Sequence, residues 1–427
     1  MSSEWKTLPL EDCLEALIDY RGKTPEKTSF GIPLITAKII KLGRIETPTE
    51  FIAKENYDSW MRRGIPQAGD VVLTVEAPLG EVAQLGPEKI ALAQRVVTLR
   101  GKKGLLDSTY LLYLLQSEEI QEKLKARATG TTVLGIKQSE LRKVELNIPP
   151  IDFQKQAAAL LKVIDDRITL LRASNTTLEA IAQTLFKSWF VDFDPVHAKQ
   201  QGRAPEGMDA QTAALFPDSF EESELRMVPK GWSYSTVGQS FILTMGQSPP
   251  GDTYNENGEG LPFYQGRTDF GFRFPSQRIF CSAPTRFAEK GDTLVSVRAP
   301  VGDVNMALER CCIGRGVASV RHPMGYSGFA FYAMRSLDKR FKTFDSEGTV
   351  FGSISKKDFQ NLPVIEVSEG LLRVYDSITS SLDTQIVNNE LIVRSLTALR
   401  DTLLPRLISG QLRLPEAQAL VEESVDA

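Results

Sequence analysis

A chain of 427 residues has room for two to four domains, and at 42% hydrophobic residues it can bury a sizeable core. Its net charge of −4 argues against a free-standing nucleic-acid binder unless basic residues gather on one face or partner subunits supply charge. No apolar run approaches a membrane span, and the opening residues lack the basic-then-apolar pattern of a secretory signal. The four cysteines, Cys13, Cys281, Cys311 and Cys312, show no CxxC spacing, so reduced core thiols in a cytoplasmic protein are expected. With only His197 and His322, far apart in sequence, a His-based metal site or catalytic base is not expected.

Residues 1–150 are punctuated by Gly and Pro and carry short β-branched runs at 70–75 (DVVLTV) and 95–99 (RVVTL), with a short helix predicted over 108–126. A long helix follows, over 151–191. Leu161, Ile164, Ile168, Leu171, Asn175, Leu178, Ala182, Leu185 and Trp189 recur at alternating steps of three and four, and residues 160–190 contain no Pro or Gly. That stretch spans roughly 45 Å at about 1.5 Å per residue. Residues 192–231 read as a connector. Residues 232–367 return to short strands and turns, and a second long helix over 368–412 carries a similar seam: Leu382, Ile386, Asn389, Val393, Leu396, Leu403 and Leu407. Residues 413–427 read as a frayed tail.

The two halves match each other in order. Trp5 lies over Trp232, Gly22-Lys23-Thr24-Pro25 over Gly246-Gln247-Ser248-Pro249, and Gly31-Ile32-Pro33 over Gly260-Leu261-Pro262. The longest match sets Gly69-Asp70 through Ala77-Pro78-Leu79-Gly80 over Gly291-Asp292 through Ala299-Pro300-Val301-Gly302, and Asp165 and Ile168 match Asp383 and Ile386. Several motifs in one order point to duplication of a large module. The fold expected is therefore α+β: two α/β modules separated by a pair of long antiparallel coiled-coil helices, with pseudo-two-fold symmetry. Asn175 and Asn389 would fix the register of the pair, or sit at solvated positions. Glu76 and Arg298 occupy one position of the shared frame. Two readers of different targets would differ there, and so would two copies that had simply diverged. Modules related by a two-fold suit half-sites on opposite DNA strands, and a helix of roughly 45 Å exceeds one duplex turn of roughly 34–36 Å.

Motifs for catalysis are missing: there is no GxxxxGK[ST], HExxH, GxGxxG or GxSxG, and no Asn-Pro-Pro-aromatic signature. Asp192 and Asp194 follow a helix end, where a capping or turn role is expected ahead of a metal site. No catalytic residue and no metal ligand is assigned. Candidate DNA contacts in the first half are Lys23, Thr24, Lys38, Lys41, Arg62, Arg63, Thr131, Thr132 and Lys137. In the second half they are Gln247, Ser248, Tyr264, Gln265, Arg267, Arg298, Arg315, Thr349, Ser355 and Lys356. Gln and Arg can pair with adenine and guanine edges, whereas Lys, Thr and Ser can hold phosphates.

These residues resemble those of type I restriction–modification specificity subunits. The resemblance rests on the leading Trp of each half, GKTP and GQSP, AGD…APLGE and KGD…APVGD, GTT and GTV, and the segments at 149–168, 185–199 and 397–412. It covers nearly the whole chain. The second half lacks the Pro-Pro-x-x-x-Gln that precedes the first helix: Leu362-Pro363 runs into VIEVSEG. The resemblance implies a non-catalytic subunit that reads a split double-stranded DNA sequence with an unread spacer set by the helices. It implies two modification subunits, which methylate N6 of adenine with S-adenosylmethionine, and restriction subunits using ATP and Mg. None of these cofactors would be bound by this chain. A stand-alone coiled-coil adaptor without sequence-specific DNA binding would share the seams and the duplication, but would not need differing polar loops.

Overall fold

A computed structural model gives the structure, which describes residues 5–425 apart from 21, 23, 132, 224 and 347–351. The fold is α+β, with two sheet-rich parts and two helices of 40 residues each, Ile151–Phe190 and Glu369–Ile408. The chain divides into two compact units, one made of Met1–Leu171 with Ile392–Ala427, the other of Arg172–Leu391.

In the first unit an antiparallel sheet runs Leu14–Asp19, Val96–Gly101, Val71–Val75, Leu79–Gln84. The DVVLTV run is apolar throughout because both its faces are covered. Val71, Leu73 and Val75 point into one core and Val72 into another, the period-two alternation of a strand. A separate pairing of Lys6–Pro9 with Glu145–Ile148 ties the start of this part to its end.

The helix predicted over 108–126 is two helices, Ser108–Gln116 and Glu118–Ala126. Ser117 divides them with extended backbone (ψ 144°) and donates its hydroxyl to the Leu114 carbonyl at 2.6 Å, so a side chain competes with the helical ladder. Asp107 caps the first helix by accepting from the Thr109 and Tyr110 amides, each at 2.9 Å.

The start of the central helix is pinned by Gln154, which is fully buried. Its side chain accepts from the Asp107 amide at 2.9 Å and donates to the Leu105 and Pro149 carbonyls at 2.9 and 2.7 Å. Further along, Leu161, Ile164, Ile168 and Leu171 share a core with Val393, Leu396, Leu403 and Leu407. The residues expected to fray form a helix instead, Leu414–Val425, because Ala417 and Val421 close onto that same core. Gly410, at φ +73°, turns the chain beside the Trp5 ring, which would lie 2.8 Å from a β-carbon there.

In the second unit the antiparallel sheet runs Ile242–Met245, Val317–Arg321, Thr293–Ser296, Val304–Met306. Ser233–Thr236 pairs with Pro363–Glu366. The end of the central helix is an aromatic plug. Phe190 lies 5.1 Å from Tyr375 and 5.3 Å from Phe329, and Trp189 lies 5.2 Å from Phe216, centroid to centroid. Buried positions here are Ala182, Phe186, Trp189 and Phe190, while Leu178 and Leu185 are half-buried. The helix's 3.6-residue turn carries the buried line past a strict heptad. Leu382 packs against this core and Ile386 lies within it.

Beyond the plug, Asp192 accepts from Lys187, and Phe193, in the left-handed region at φ 59°, precedes the short helix Asp194–Gln200 with Pro195 in its first turn. Asp192 thus lies in the bend and Asp194 opens the short helix.

Candidate nucleic-acid interface

The GD…AP-x-G frame is built as follows in the first unit. Asp70 ends the leading turn by accepting from the Gln67 amide at 2.8 Å, and it pairs with Arg100 of the neighbouring strand through both carboxylate oxygens at 2.8 Å. Thr74 accepts from the Glu81 amide at 2.9 Å, closing the far turn. Past the strand, Glu76 forms an isolated bridge with Gly135, and the Ile136 amide donates to the Val75 carbonyl at 3.0 Å. The loop at 129–135, closed by paired Thr129 and Gly135 backbones, is thereby held against the AP-x-G turn.

The second unit repeats these contacts with its own residues. Asp292 accepts from the Glu289 amide at 2.9 Å and pairs with Arg321 at 2.6 and 2.8 Å. Ser296 accepts from the Asp303 amide at 2.9 Å. Arg298 bridges Ser353, and the Ala299 amide donates to the Gly352 carbonyl at 2.9 Å. The hydroxyl position and the leading aspartate explain why the motif needs Ser/Thr and Asp: each ties a turn to the sheet.

The candidate contacts fall unevenly on this scaffold. Lys23, Thr132 and Thr349 lie outside the described residues. Thr24, Lys38, Lys41, Arg62, Arg63, Thr131 and Lys137 are all exposed. Lys41 is turned to Glu46 at 2.9 Å, and Arg63 reaches the Asp19 carbonyl at 3.2 Å. Thr131 and Lys137 belong to or flank the loop held beside Glu76. In the second unit Gln247, Gln265, Arg267, Arg298, Arg315, Ser355 and Lys356 are exposed. Arg315 comes together with Ser248, its Nε 3.3 Å from the hydroxyl. Arg267 pairs with Asp303 at the edge of the AP-x-G turn. Ser355 caps the helix Lys356–Gln360. Tyr264 is 3% exposed and sits in a core with Phe270 and Ile313.

One constellation has no counterpart among the residues that the sequence singles out. Arg273 is fully buried, donates to Glu179 at 2.8 Å, pairs with Asp383, and lies 3.5 Å over the Phe331 ring. Tyr332 joins through Arg273 at 3.2 Å and Glu179 at 3.1 Å, and Arg335 also binds Glu179. Burial pushes the Asp383 carboxyl up to about 6, against the pull of the Arg273 guanidinium. In the first unit Asp165 accepts from the Tyr113 hydroxyl and from Arg400, each at 2.9 Å. The match of Asp165 with Asp383 one step off each seam is the available signal. Nothing in GFRF marks Arg273 as buried.

A family model described as the type I restriction modification DNA specificity domain matches residues 2–180. The relatives and solved structures that the chain is similar to are type I specificity subunits. A putative type I restriction enzyme MjaX specificity subunit of Methanocaldococcus jannaschii is 26% identical over 96% of this chain and 94% of its own length. The type I restriction enzyme HindI specificity subunit of Haemophilus influenzae is 26% identical over 76% of this chain and 82% of its own. A solved type I S subunit from M. genitalium, at 20% identity, shares the fold with a TM-score of 0.59 over 95% of this chain and 96% of that one.

Proposed function

We propose that this chain is the non-catalytic DNA specificity subunit of a type I restriction–modification system and reads a bipartite target, one half-site by residues 1–150 and the other by residues 232–367, with an unread spacer between them. The observation that carries this reading is the recurrence of one frame with different exposed residues. Asp70–Arg100 and Asp292–Arg321 brace the same turn, and Thr74 and Ser296 close the next one, while Glu76 and Arg298 stand at the frame's exposed end. Duplication followed by divergence of the loops accounts for both the sameness and the difference.

The two 40-residue helices then act as an antiparallel pair that sets the spacer. Contacts inside each unit support the antiparallel sense. In the second unit Asn175 meets Asn389 and Ala182 meets Tyr375; in the first, Asp165 meets Arg400. The remaining surface of the pair would hold two modification subunits, which bring S-adenosylmethionine, and through them restriction subunits using ATP and Mg. The partners' positive surface completes the grip on the phosphates that a net charge of −4 does not itself favour.

The test is genome-wide mapping of methylated adenine in cells with and without this chain, alongside its partner subunits. A split motif that disappears with the chain is expected. Replacing residues 1–150 by another recognition domain should change one half of that motif only. A change in both halves would refute the division of labour.

A further inference from the structure

We propose that Glu76 and Arg298 are base-reading residues, and that each reads a G·C pair from the opposite side. This deepens the bipartite reading and rests on it. The two side chains leave matching points of the two frames: each directly follows a buried valine, Val75 at the strand's end and Val297 just past it, each immediately precedes Ala-Pro, and each is bridged to the neighbouring loop, Glu76 to Gly135 and Arg298 to Ser353. Both are exposed, and among the described residues neither has an ion-pair partner. The other charges of the frame, Asp70 and Asp292, are both neutralised.

The sign of Glu76 narrows what it can face. A carboxylate is repelled by phosphate, so on a DNA-binding surface it is tolerated only opposite the exocyclic amine of a base. Glu76 is also given room to lie over its loop: a β-carbon on Gly135 would come within 3.3 Å of the Glu76 Cγ. Beside it, Val133 is 51% and Leu134 40% exposed, apolar groups with no core to cover and suited to base edges ahead of the sugar–phosphate chain. Glutamate accepts from the N4 amine of cytosine, whereas arginine donates a two-pronged pair to O6 and N7 of guanine. Charge reversal at one frame position therefore exchanges the two bases of one pair.

The experiment uses the full chain with its modification subunits in cells, reading the methylated-adenine motif for wild type, Glu76→Gln, Arg298→Gln and Arg298→Lys. Glutamine, which matches glutamate in size and is shorter than arginine, favours adenine, and because both positions are exposed the substitutions leave the fold intact. Glu76→Gln should relax a single cytosine position of one half-site by roughly tenfold or more, and Arg298→Gln a single guanine position of the other. Arg298→Lys, which keeps the charge but loses the fork, should also relax that position. A bipartite wild-type motif left unchanged by Glu76→Gln and Arg298→Gln overturns this inference alone. A uniform loss of methylation with no change of motif also overturns it, since that is the mark of a phosphate contact. A wild-type complex with no bipartite motif overturns the function reading, and this inference with it.

Discussion

Asn389 donates its side-chain amide to the side-chain oxygen of Asn175 at 2.8 Å, and Asn175 in turn donates to Glu390 at 2.9 Å. Asn175 is fully buried, so this short polar chain stands where the neighbouring seam positions are aliphatic. Removing Asn175 deprives the half-buried Asn389 and Glu390 of the partner they share. Asn175→Ala should lower stability by about 1–2 kcal/mol, read as a lower urea midpoint with an unchanged slope. Asn175→Leu tests the register role: stability held or raised, but a mixed spacer length in the methylation motif, is the outcome expected of a register-setting polar seam residue.

Arg273 carries a heavier load. Its guanidinium joins Glu179 of the central helix, Asp383 of the distal helix and Tyr332 within one unit. Arg273→Met fills the space and removes the charge, leaving Asp383 without its cationic partner. A loss of about 3–5 kcal/mol is expected, as for other broken buried pairs. Because Arg335 still holds Glu179, an added Asp383→Asn change should restore part of the stability. No restoration in the double variant would show that Arg273 acts by packing on Phe331 and not by charge.

How far the sequence shows these features differs by residue. The seam from Leu161 to Leu171 and the strand DVVLTV are legible because burial imposes a period, and a period survives in one dimension. The capped break at Ser117 is not, since Ser is compatible with a helix interior and only its bond to Leu114 reveals the stop. The terminal position of the tail suggests fraying, yet Ala417 and Val421 sit four apart and close onto a core that only the tertiary fold supplies. Tyr264 resembles a loop residue because Gln265, Gly266 and Arg267 follow it; its own position is the end of the strand Leu261–Tyr264, facing inward. Arg273 is invisible for a different reason. An arginine is buried only where two acidic groups from elsewhere converge on it, and neither lies near it in sequence.

The Asp383 carboxyl gives a pH dependence with a definite sign. Burial raises it from 3.8 to about 6 in the folded chain, with Arg273 opposing and Glu179 and Asp376 reinforcing the rise. The folded state therefore takes up this proton more readily than the unfolded one. The associated stability is fully present below about pH 3.8 and is lost as pH rises through about 6. Asp383→Asn keeps an acceptor for Arg273 but cannot titrate. Subtracting wild type from variant cancels the other carboxylates, so the variant should gain on wild type as pH rises from about 3.8 through about 6. The gain is bounded at about 3 kcal/mol, because each tenfold change in proton affinity on folding is worth about 1.4 kcal/mol. A flat difference across that range would show that Arg273 holds Asp383 ionised throughout.

Spacer control by the helices makes the last prediction. Each helix is unbroken over 40 residues, and Pro405 lies in the final turn of the second, where the chain leaves it through Gly410. A seven-residue insertion preserves the face that each seam presents, whereas three or five residues would rotate it. One heptad placed between Leu171 and Arg172, and another between Leu391 and Ile392, keeps both seams in phase at the points where the chain passes between its units. Seven residues add about 10 Å of helix, which is about three base pairs of duplex at roughly 3.4 Å each. The methylation motif should keep both half-site sequences and widen its unread middle by about that amount. Insertion into one helix alone should break the pairing and abolish methylation. A paired insertion that alters the bases read, with the spacer unchanged, would remove the helices from the role of ruler and place spacing in the loops of the two recognition modules.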